Sequence, residues 1–142
     1  MTSRVKNARD DVATLWAATT PPTRTDEPYR EVTGRNVEGE RLFWFEAESG
    51  SEQTDFVSSM AIDLVRFTGS VRISTAGDNL TGEFDRFYDE GVLLKNVVNF
   101  NSSWGTGVRY VRCNAFTRED TDSDDYLIRF ELEAEVEETD GA

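Results

Sequence analysis

Tyr126-Leu-Ile-Arg-Phe-Glu-Leu-Glu-Ala-Glu-Val-Glu137 alternates apolar and polar positions almost without a break. Successive side chains of an extended strand point to opposite sides, so Tyr126, Ile128, Phe130, Leu132, Ala134 and Val136 share one face. Leu127, Arg129, Glu131, Glu133, Glu135 and Glu137 share the other. Such a period of two predicts a strand with one buried and one wet face. Residues 108–116 read as a second strand. The nine residues 117–125 join the two as antiparallel neighbours.

Outward from this pair, the period changes. Val5, Ala8, Val12, Leu15 and Trp16 make one helical stripe, stopped by Pro21-Pro22. Leu80, Phe84, Phe87, Tyr88, Gly91, Leu94 and Val98 make a second, followed by a turn-rich loop over 99–107. Leu42-Phe43-Trp44-Phe45, within 40–48, predicts a central strand covered on both sides. Ser49-Gly-Ser-Glu-Gln53 reads as a flexible loop, and 71–75 as a strand. Residues 54–68 fit either a helix ending at Gly69 or a strand, with strand slightly favoured over 60–67. The expected fold is a single α+β domain over 1–142. Its mainly antiparallel or mixed sheet of four to five strands packs against two helices. Residues 20–40, which hold all three prolines, are expected to be an extended linker or arm, and 138–142 a flexible acidic tail.

Composition narrows the function. A 142-residue chain that is 37% hydrophobic, with nine Phe and three Trp, can bury a core unaided. One cysteine excludes an internal disulfide framework, and the absence of histidine removes histidine-based relays and metal sites. The polar start and the lack of a long apolar run predict a soluble, intracellularly made protein that does not enter membranes. Net charge is −13, of which residues 117–142 carry −9, so a basic footprint for nucleic acid is missing. Thirteen Arg against two Lys, with excess acid, would suit a salt-rich cytoplasm; a GC-rich genome also favours Arg codons.

Four groups of residues bear on chemistry. Asp120, Asp122 and Asp124, with Glu131 at the twelfth position, resemble a calcium loop but have Asp125 where the turn wants glycine. A solvated loop is therefore expected, with no metal and no cofactor. Glu131, Glu133 and Glu135 lie about 7 Å apart along one strand face, and form an acidic wall rather than an acid–base pair. Cys113 alternates with Val111 and Ala115 as a small core residue. Trp104, alone in a Gly/Ser/Asn loop, either contacts a partner or folds back as a lid on the sheet. With no nucleophile–base pair visible, an enzyme is not expected.

The order of helix, linker, strands, helix, loop and closing strands resembles the tail terminator (tail completion, neck) proteins of long-tailed phages and viruses. The residues that carry the resemblance are the helix 5–16, Arg41-Leu-Phe-Trp-Phe-Glu46, Val71-Arg-Ile-Ser-Thr75 leading into 82–94, and Tyr126-Leu-Ile-Arg-Phe-Glu-Leu-Glu133. The resemblance implies an α+β fold with helices on one side of the sheet, a structural virion protein without catalytic residues, and a homo-oligomeric ring, commonly a hexamer. Such a ring caps the tail tube and meets the tube protein and the head-tail connector or head completion protein. DNA passes through it without specific binding. On that reading Glu131, Glu133 and Glu135, or the acidic loop 119–125, line the channel. The alternatives are another neck or tail-tube ring subunit, or a small acidic cytosolic protein-binding domain.

Overall fold

A computed structural model describes residues 4–19, 23–24, 41–57, 60–74, 80–120 and 125–139. Helix α1 spans Arg4–Ala17 and α2 spans Leu80–Asn99. Strands β1 (Thr23–Arg24), β2 (Arg41–Val57), β3 (Met60–Ser74), β4 (Val108–Asp120) and β5 (Asp125–Thr139) form one sheet in the order β1-β2-β3-β5-β4. The four long strands are antiparallel throughout, and two-residue β1 lies parallel to the start of β2.

The alternating pattern of β5 is what orders the layers. Its register with β3 sets Phe67 opposite Leu132, Val71 opposite Ile128 and Ile73 opposite Tyr126, so the apolar sets share one face. Both helices pack there. Phe87 of α2 makes edge contacts with Phe116 and Tyr126. Trp16 of α1 meets Phe43, Phe45 and Phe130, with ring centroids 5.2–5.7 Å apart. Its indole N–H donates to the Leu94 carbonyl of α2 at 3.1 Å, so one side chain joins both helices to the sheet. Gly91 lets α2 approach β4 closely: a Cβ there would overlap the Phe116 ring.

Among the described residues, Arg41 is the one charged residue of this face that is fully buried, at 1% exposure. Its guanidinium pairs with Glu90 of α2 and donates to Thr19 Oγ1 at 3.0 Å, just beyond α1. A buried cation needs such partners, because leaving it unpaired would carry a large desolvation penalty.

Three sequence-based expectations change. Residues 49–53 are not a loop but part of β2, which absorbs them through register shifts between Ala47 and Ser51 and between Gln53 and Asp55. Beyond Leu42, β2 has no second neighbour among the described strands, and so its polar residues suit a strand edge. For the same reason the 42–45 run is central only at its start, although Phe43, Trp44 and Phe45 are all buried as expected. The strand favoured over 60–67 is present and longer, as 60–74 is one continuous strand with Gly69 mid-strand against Trp16. Finally, β5 runs to Thr139, pairing Glu138 and Thr139 with Ala61 and Met60, so these two are not part of a tail, and 140–142 lie outside the described residues. Of the arm 20–40, only Thr23–Arg24 falls within the described residues.

Cys113 takes its place in this core at 4% exposure, and burial pushes its thiol from an ordinary 9.0 up to about 12. In the unfolded chain the thiol ionises first as pH rises. The stabilisation it gives the fold is therefore complete below pH 9 and is lost on the way to 12. Between about pH 8 and 11, the melting temperature of the wild type should fall more steeply than that of Cys113→Val, which cannot ionise. Parallel declines in thermal melts would contradict this placement.

Candidate functional site

The sheet face turned away from the helices carries the acidic row, and the pairing register decides what each carboxylate meets. Glu133 lies between Arg66 of β3 and Arg112 of β4. Arg112 donates to Glu133 Oε1 through both Nε and Nη2, and Glu133 is only 6% exposed. Glu135 has Tyr110 opposite it on β4, and Arg109 Nη1 lies 3.3 Å from its Oε1. Burial, and then the Glu135 carboxylate beside it, raise the pKa of the Tyr110 phenol. Glu131 lies between two neutral residues, Thr68 and Ala115, and its side chain is exposed.

The three glutamates are equivalent in the sequence pattern and different in the fold. The expected wet face is therefore only partly wet: Trp44, Thr68, Ser70 and Glu133 are buried on it. Arginines answer acids across its surface. Arg129 bridges Glu119 at 3.3 Å and Glu46 at 3.8 Å, and the Arg72 guanidinium lies 5.8 Å from the centre of the Trp44 ring. The arrangement is a lattice of paired arginines and carboxylates, in which Glu131 is exposed between neutral neighbours, and not a uniform anionic wall.

The other candidates fall in separate places. Trp104 packs partly buried against the core. Its loop is pinned to α1, where Asp11 Oδ2 accepts the Gly105 N–H at 2.7 Å and Asn7 Nδ2 donates to the Thr106 carbonyl at 3.0 Å. This is the lid arrangement. Among the described residues, the large apolar side chains presented to solvent are instead Phe100 at 81%, Tyr88 at 57% and Leu93 at 37% exposure. Sequence reasoning passed over Leu93 and Phe100, yet their spacing of seven, off the buried stripe of α2, marks a common outer face. Asp120 is held by Arg118 at 2.8 Å, while Asp122 and Asp124 lie outside the described residues. No group of three acidic or cysteine side chains placed for a metal occurs among the described residues, and no described helix is long and apolar enough to cross a membrane.

The contrast within the row is measurable. Glu133→Gln strips the counter-charge from Arg112 at a buried position and should lower the melting temperature by about 2–5 °C. Glu131→Gln, at an exposed position with neutral neighbours, should stay within about 1 °C of wild type. Equal effects in calorimetry would show that the register does not discriminate the two.

Compared with known proteins, the chain matches no protein-family model and no curated sequence.

Proposed function

We propose that this protein is a structural ring subunit of a virus particle, of the tail terminator type, which caps the tail tube and joins it to the head-side connector. The observation that carries the reading is the layering. Two helices share one face of an antiparallel sheet, and the chain runs helix, strands, helix, strands. Such a subunit was expected to have that arrangement. The charge lattice of the outer face adds support, since arginines already engaged by carboxylates are poorly placed to grip phosphate. The acidic channel lining proposed for such a ring rests mainly on Glu131, since Glu135 is mostly covered and held by Arg109, and Glu133 is withdrawn into its ion pair. Trp104, docked as a lid, gives way to the exposed side of α2 as the apolar surface a neighbour would meet.

Mass photometry over a salt series tests the reading. Six 16.1-kDa subunits make a particle of about 97 kDa. Every subunit carries −13, so ring closure gathers like charge and should strengthen as salt rises from about 0.1 to 1 M, where the screening length falls from about 10 to 3 Å. A monomer at every salt concentration would contradict the ring and favour a small acidic binding domain. Rings that dissociate as salt is added would contradict the charge argument.

A further inference from the structure

The last strand of the described sheet, β4, has β5 on one side and no strand on the other. Open edges display unpaired N–H and C=O groups and are templates for a further strand. At the middle of this edge the groups are taken. Asn99, the last residue of α2, donates from Nδ2 to the Cys113 carbonyl at 3.0 Å, and its Oδ1 accepts the Cys113 N–H at 2.7 Å. A residue opposite Cys113 in an added antiparallel strand would exchange the same two hydrogen bonds. The primary amide has one donor and one acceptor side by side, so it imitates that residue.

We propose that the Asn99 side chain is a plug in the open edge of β4, which keeps this strand from pairing with β4 of a second copy of the chain. Because Cys113 turns both backbone groups outward, alternation along the ladder turns those of Val111 outward too. The ladder is unbroken between them, with Val111, Arg112 and Cys113 opposite Ala134, Glu133 and Leu132. Flanking features guard the remainder. The Val108 N–H is engaged by the Gly105 carbonyl at 3.1 Å, and a register shift follows Cys113. A second β4 is the occupant the strand itself suits. Its first half carries Arg109 and Arg112 and its end Arg118, Glu119 and Asp120, a net positive half and a net negative one, which antiparallel self-pairing sets against each other. The plug is placed by packing at a distance: Leu94 and Val98 bury the end of α2, and Gly91 seats the helix on Phe116.

Asn99→Ala tests this on an exposed residue whose loss leaves the core intact. Two measurements are made on the full chain beside the wild type at equal concentrations: sedimentation velocity and amide hydrogen exchange. In dilute protein the Cys113 amide of the variant should exchange about tenfold faster, as expected for a lost hydrogen bond. With rising concentration the variant should form a species of twice the wild-type particle mass, in which the Val111 and Cys113 amides become protected together. A variant that sediments like the wild type at every concentration would overturn the proposal. So would association without protection of those two amides, since it would run through another surface or partner.

Discussion

The Trp16 indole rests against the backbone of Gly69, and the rest of the domain is arranged around that contact. A Cβ at position 69 would lie 2.6 Å from Trp16 Cη2 and 3.2 Å from Leu132 Cδ1, so the ring uses the space that any other residue would fill. Glycine weakens a strand by itself, since it brings entropy and no side chain to pack. Here an aromatic ring from another element supplies the missing apolar cover. The same ring touches Phe43, Phe45 and Phe130, and its N–H ties it to Leu94. One residue therefore sets the height of α1 above three strands and its position relative to α2.

With the helix side committed to this core, the described surfaces open to a neighbour include the outer sheet face, the edge of β4 and the exposed side of α2. Each has its own chemistry. The outer face is a lattice of paired arginines and carboxylates, the β4 edge is interrupted by an amide, and α2 with the turn that follows it offers Tyr88, Leu93 and Phe100. On the proposed ring reading, contact surfaces must join copies in one way only. Pairing that cancels charge within the subunit, and a blocked strand edge, both reduce the number of wrong ways.

The elements most legible in the sequence were those whose own residues carry the period. The alternation of 126–137 marked β5 and its buried face, and the stripes of 5–16 and 80–98 marked the helices to within a residue or two. What the sequence hid depends on cross-strand partners. Glu131 and Glu133 look alike until the register sets Thr68 and Ala115 beside one, and Arg66 and Arg112 beside the other. Ser49-Gly-Ser-Glu-Gln53 has loop composition, but pairing with β3 through two register shifts holds it in a strand. Asn99 sits at the boundary of a turn-rich segment, and its role depends on Cys113, fourteen residues later. Gly69 left a helix end open as an alternative to the favoured strand, because nothing local announces an indole arriving from residue 16.

A double-mutant cycle in chemical denaturation tests that joint most directly, using Gly69→Ala, Trp16→Phe and the pair. If Trp16 occupies the space above Gly69, the alanine should destabilise the wild type by about 1–3 kcal/mol through overpacking. It should cost little once the smaller phenyl ring has withdrawn, giving a coupling energy of about 1 kcal/mol or more. Strictly additive effects would show that the indole and the glycine do not meet, and that α1 is held to the sheet in some other way.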